Sequence, residues 1–183
     1  MIFEPKDKKY SFLINEEGPR ILKEALALYG TEEFKGEKNN PVILMWAREL
    51  RDKVGIEYKD DVTPWCGLFM GVIAQRAGYE PPFLCVRAKE WVKFGTPQKT
   101  AMLGDVLVFN RSRGGHVGLC VGQDKYNYHV YGGNQNDKVG FTTIPKNKLV
   151  ANGIRRCPWK IGQPSNVRVI NIAPDIKKTA KLS

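Results

Sequence analysis

The sequence predicts an α+β domain, with N-terminal helices packed on an antiparallel β-sheet. Three observations carry this expectation. Apolar residues in the front third recur at helical spacing. From residue 105 to about 160 the chain is a series of short apolar runs divided by glycine- and asparagine-rich turns. Helices precede strands instead of alternating with them, which separates this class from a parallel α/β sheet. With 183 residues and 42% hydrophobic content, one compact domain with its own core is expected. It should span 1–163, with a helical lead-in over 18–55 and a core over 60–160, followed by a basic tail over 164–183.

Leu22, Leu26 and Tyr29 share one face of a first helix, which Gly30 ends. Asn40-Pro41 supplies a cap and an N1 proline for a second helix. Ile43, Trp46, Ala47, Leu50 and Val54 line its inner face, and Gly55 closes it. A loop through Lys59-Asp60-Asp61 leads to a third helix. There Thr63 is the expected N-cap and Pro64 the first helical residue; Leu68, Phe69, Val72, Ile73 and Ala77 follow at helical spacing up to Gly78. Ala88, Trp91 and Val92 mark a short helix before Gly95. Strands are then expected at Gly104–Phe109, His116–Gly122, Tyr128–Tyr131, Phe141–Ile144 and Ile154–Trp159, with Arg111–Gly115 as a hairpin loop. Val167–Ile170 is one further strand-like run in the tail.

The third helix carries Cys66 in its first turn, among N–H groups without helical partners and at the positive end of the helix dipole. Both favour a thiolate, as would a neighbouring imidazolium, and the same N–H groups suit an oxyanion. A lone cysteine is otherwise most often a small buried residue. His116 opens the strand on which Val117, Leu119 and Val121 face one way and His116, Gly118 and Cys120 the other. The face carrying His116 is small, so the helix bearing Cys66 is expected to approach there. A thiol on a helix start and an imidazole on a sheet are what a cysteine hydrolase needs. A third group should orient the imidazole. Asn134, in Gly132-Gly133-Asn134-Gln135-Asn136-Asp137, is the first choice, because its amide oxygen accepts a ring N–H without adding charge. His129, Gln135 and Asn136 stay open as alternatives. Trp65, Trp91 and Tyr131 are candidates to flank a cleft, and Asp61 to bind a substrate amine; core packing and loop solvation are the competing readings.

Composition narrows the partners. The formal net charge of +10 suits an anionic partner. The basic runs at Lys6-Asp7-Lys8-Lys9, Lys146–Lys148, Arg155-Arg156 and Lys177-Lys178 do not interleave with aromatics as a nucleic-acid surface would. Cysteines at 66, 85, 120 and 157 form no close pairs, so reduced thiols are expected. Two histidines and no Cys-x-x-Cys make a poor zinc set, so no metal is expected. No stretch is long and apolar enough to span a membrane, and the first residues lack the order of a secretion signal.

Pro64-Trp65-Cys66, Gly104-Asp105-Val106, His116-Val117-Gly118 and Gly132-Gly133-Asn134-Gln135, in that order, resemble the NlpC/P60 and CHAP superfamily of papain-like peptidoglycan hydrolases. They look most like its small phage-type subgroup, whose lead-in is similar to Tyr29-Gly30-Thr31-Glu32-Glu33 and Asn39-Asn40-Pro41. The similarity covers roughly residues 25–157. It implies a papain-like fold, hydrolysis of an amide bond in the peptide part of the cell wall, and no metal or organic cofactor; the anionic polymers of a bacterial wall are then the expected partner of the net charge of +10. NlpC/P60 members often carry a histidine as third residue and CHAP members Asn or Glu; this chain offers both His129 and Asn134. An enzyme made in the cytoplasm and reaching the wall by phage lysis, in a virion or through a secretion apparatus is the expectation. A catalytically silent wall-binding module and a basic nucleic-acid-binding protein are the readings from other classes.

Overall fold

The structure, a computed structural model, describes residues 3–34, 36, 38–160, 162 and 166–173. Three α-helices are formed among these residues: α1 (Arg20–Leu26), α2 (Pro41–Leu50) and α3 (Cys66–Arg76). Six strands follow: β1 (Thr96–Pro97), β2 (Val106–Asn110), β3 (Gly115–Gln123), β4 (Asn127–Gly132), β5 (Gly140–Pro145) and β6 (Leu149–Arg156). They form one sheet in the order β1-β6-β2-β3-β4-β5, and every neighbouring pair is antiparallel. The α+β class is therefore what the chain adopts. No helix among the described residues is long and apolar enough to cross a membrane.

Local chemistry accounts for most boundaries. Asn40 caps α2 by accepting the N–H of Val42 at 2.9 Å, with Pro41 at N1. α2 passes into a 3-10 turn over Arg51–Val54 and stops at Gly55, whose φ of +71° is the left-handed cap that glycine adopts freely. α1 ends at Leu26, earlier than its apolar spacing predicts, and Leu28–Gly30 form turns. α3 also differs at its start. Thr63 and Pro64 lie ahead of the helix, and Trp65 is the N-cap. The hydroxyl and N–H of Thr63 both donate to Asp60, so a local side-chain turn claims the residue that looked like a cap.

The main core lies between one sheet face and the helices. Leu68, Phe69, Val72 and Ile73 of α3 pack with Val117, Leu119 and Val121 of β3, and with Leu22, Ile43, Trp46 and Leu50 of α1 and α2. All of α3 from Cys66 to Ala74 is buried, as expected of a helix surrounded on every side. The opposite face carries a smaller cluster containing Leu107, Phe109, Cys120, Tyr128 and Val130. The helix thus lies on the branched face of β3, contrary to the expected approach over the small residues. Burying Val117, Leu119 and Val121 removes far more apolar surface from water than burying Gly118 would.

Residues 166–173 belong to the folded body. Ile172 is buried in the main core, Arg168 forms an ion pair with Glu16, and Gln123 exchanges backbone hydrogen bonds with Ile170 and Ile172. The Val167–Ile170 run makes no ladder of its own; one parallel bridge, Gln123↔Asn171, holds it to β3. The domain thus extends past the boundary expected at 163. Lys177-Lys178 lies outside the described residues.

Candidate active site

Cys66 is the first residue of α3 and His116 the second residue of β3. The β3–β4 register begins at Leu119↔Tyr131, so the ladder to β4 does not extend to the His116 end of β3. The sulfur of Cys66 meets the sheet there. The N–H groups of Val117, Gly67 and Cys66 itself are directed at it, and Val117 is the residue next to His116. Strand and helix start are brought together as the sequence implied, at the end of the sheet and not across its small face.

The imidazole is fixed by Gln135. Its Nε2 lies 3.1 Å from Gln135 Oε1, while Gln135 Nε2 donates to the carbonyls of Val130 and Gly140. Two carbonyl acceptors define which end of the amide is nitrogen. Oε1 must therefore accept, His116 Nε2 must carry the proton, and Nδ1 keeps its lone pair. Among the buried side-chain polar atoms of the described residues, His116 Nδ1 is the one without a hydrogen-bond partner. A buried nitrogen with a free lone pair is what a general base presents before substrate arrives.

Asn134, the sequence's first choice as orienter, does not bond the ring. Asn134, Asn136 and Asp137 take left-handed backbone conformations, with φ of +52°, +54° and +59°, in the turn after β4. Gln135, between them, is buried and reaches back beneath His116. Its additional methylene supplies the reach. The turn comes this close because Gly133 has no side chain: a Cβ there would lie 2.7 Å from the Trp65 ring and 2.6 Å from Phe69. His129 is occupied elsewhere, with Nδ1 2.9 Å from the Tyr10 hydroxyl and Nε2 3.3 Å from Asp124.

Several expected cleft residues turn out to be core. Trp65, Trp91 and Tyr131 are fully buried. Their polar atoms are satisfied inside, by Glu33 Oε1 at 2.6 Å, the Cys85 carbonyl at 2.8 Å and the Ala25 carbonyl at 3.2 Å respectively. None offers a ring face for stacking. Asp61 is not an exposed loop acid; it is buried and accepts the Asn40 N–H at 2.7 Å, tying the loop to the start of α2.

Electrostatics correct one further expectation. Burial pushes the Cys66 thiol up, against the pull of the Val117, Gly67 and Cys66 N–H groups and the charge of Arg111. Burial lowers His116 to about 4, helped by Arg111 and opposed by Gln135. The resting pair at neutral pH is therefore thiol and neutral imidazole, not the thiolate that the helix start alone favours, because desolvation penalises both charged forms. Arg111, five positions before His116 in the β2–β3 hairpin, acts on both groups and was not singled out from sequence. Its one legible signal was that the hairpin returns the chain directly to His116. On the other side, Tyr58 donates to the Thr63 carbonyl at 2.8 Å and feels the charges of Asp61, Asp60 and Glu33. The site is thus acidic beyond Cys66 and basic beyond His116.

The four cysteines are free thiols. Among the described residues, no group of three or more His, Cys, Asp or Glu is placed to hold a metal ion. A separate cavity of about 290 Å³ lies by Tyr79, just past the C-terminal end of α3, and holds the Arg156–Asp105 ion pair. In comparisons with known proteins, no family model, no curated protein and no solved structure matches the chain.

Proposed function

We propose that this chain is a cysteine hydrolase that cleaves an amide bond in the peptide part of bacterial peptidoglycan, on a papain-like scaffold of the NlpC/P60 and CHAP type. The observation that carries the reading is the free, buried Nδ1 of His116, set by Gln135 through Nε2, beside the helix start that bears Cys66. The wall as substrate rests on the ordered motifs and on the net charge of +10. A phage lysis or virion-associated enzyme is the setting that the same motifs favour.

In this mechanism the Cys66 thiol gives its proton to His116 Nδ1 as the substrate carbonyl arrives. The thiolate attacks the carbonyl carbon, and the N–H groups of Cys66 and Gly67 receive the oxyanion. The imidazolium returns its proton to the leaving amine, and the C–N bond breaks to leave a thioester. Water, deprotonated by His116, hydrolyses the thioester and restores the thiol. Gln135 is a positioning residue that keeps the tautomer.

The test is digestion of purified Gram-negative and Gram-positive sacculi with wild type and Cys66→Ala, with mass spectrometry of the soluble fragments. New termini from wild type alone are expected, and their masses name the bond. Equal release by both proteins would sink the hydrolase reading. No release, with sacculus binding retained, would assign the chain to a silent wall-binding module.

A further inference from the structure

A cavity of about 440 Å³ opens against His116. Arg111 and Ser112 of the β2–β3 hairpin, Thr142 and Thr143 of β5, and Lys148 form its polar wall. No carboxylate lines it, and among the described residues neither Arg111 nor Lys148 is ion-paired. The acids near the site, Glu33, Asp60 and Asp61, lie on the Cys66 side instead. Two unpaired cations with three hydroxyls, in an acid-free cavity, form a site for a substrate anion.

Its place relative to the chemistry says which part of the substrate enters. His116 protonates the leaving amine, so the portion of substrate lying against His116 is the amine component of the scissile amide. We infer that this cavity binds a free carboxylate carried by the residue on the amine side of the cleaved bond, with Arg111 and Lys148 as the binding cations and Thr142 and Thr143 as donors. The inference rests on the hydrolase reading and deepens it: the preferred substrate is an amide whose leaving amino acid keeps an unblocked carboxylate, as the diamino acid of a wall stem peptide does.

The experiment uses the full-length Cys66→Ala protein, which binds without turning over. It is titrated with the stem tripeptide L-Ala-γ-D-Glu-diaminopimelate and with the same tripeptide amidated on the diamino residue. About tenfold weaker binding of the amidated form is expected, falling to less than about threefold when Arg111→Gln and Lys148→Gln are added. The ratio between the two ligands is the readout, because Arg111 also acts on Cys66 and His116 and shifts activity by itself. Equal affinity for both ligands, or no binding of either at millimolar concentration, overturns the subsite. Inorganic phosphate that binds more tightly than the free tripeptide would assign the cavity to phosphate and overturn it as well. Wild-type sacculus digestion separates the two failures: Cys66-dependent lysis without carboxylate discrimination removes the subsite alone, whereas release that does not depend on Cys66 removes the hydrolase reading.

Discussion

Three adjacent polar residues, Asn134, Gln135 and Asn136, show how a single methylene and a single backbone angle assign a role. The asparagines sit at left-handed turn positions that suit their short side chains, and Gln135 between them is buried against His116. Replacing Gln135 with leucine should lower kcat on wall fragments by about 10- to 100-fold with little change in KM, since it removes orientation and not substrate contact. Asn134→Ala should leave kcat within about threefold; the reverse ranking would refute the assignment. Burial sets the pH response at the same scale. A base must be unprotonated, so the acidic limb of kcat/KM should fall near pH 4, where the buried His116 titrates, and not near its ordinary 6.5. Arg111→Gln should move that limb upward, because the guanidinium is one of the causes that hold His116 low. A pH profile of both proteins checks both statements.

At the level of elements, the site is a meeting of three ends: the first turn of α3, the end of β3 that pairs with β2 but not with β4, and the turn after β4. Each end needs a close approach. A Cβ at Gly67 would lie 2.3 Å from the Cys85 carbonyl oxygen, and one at Gly133 would strike Trp65 and Phe69. Gly133→Ala must therefore push the turn outward. A loss of about 1–3 kcal/mol in urea unfolding is expected, together with a fall in kcat like that of Gln135→Leu, because the displaced turn carries Gln135. A variant of wild-type stability would show that the turn has room the structure does not give it. The start of α2, the hairpin over Arg111–Gly115 and most strands were legible in the sequence because caps, prolines and alternation act over a few residues. The N-terminus of α3 lies two residues later than its cap pattern predicts, since Asp60 competes for Thr63 through a turn that the cap pattern does not reveal.

Across the whole molecule, burying His116 neutral links the site to stability. Its folded pKa of about 4 lies below the ordinary 6.5, so between those values the unfolded chain binds a proton that the folded chain does not. The stability contribution is complete above about pH 6.5 and is lost as the pH falls through about 4. Thermal unfolding across this window should show wild type losing stability more steeply than His116→Leu; identical slopes would place the ring in water. The C-terminal segment adds to the same body, since Ile172 enters the core and Arg168 pairs with Glu16. The sequence by itself determined the α+β class, the order of elements and the candidacy of Cys66 and His116, because these follow from local periodicity, turn chemistry and residue type. Tertiary structure alone decided which face of β3 the helix covers, that Gln135 holds the ring, that Trp65, Trp91, Tyr131 and Asp61 are interior, and that the resting pair is neutral. Those outcomes depend on which groups lose water together, and that is a property of the packed molecule and not of any short stretch of chain.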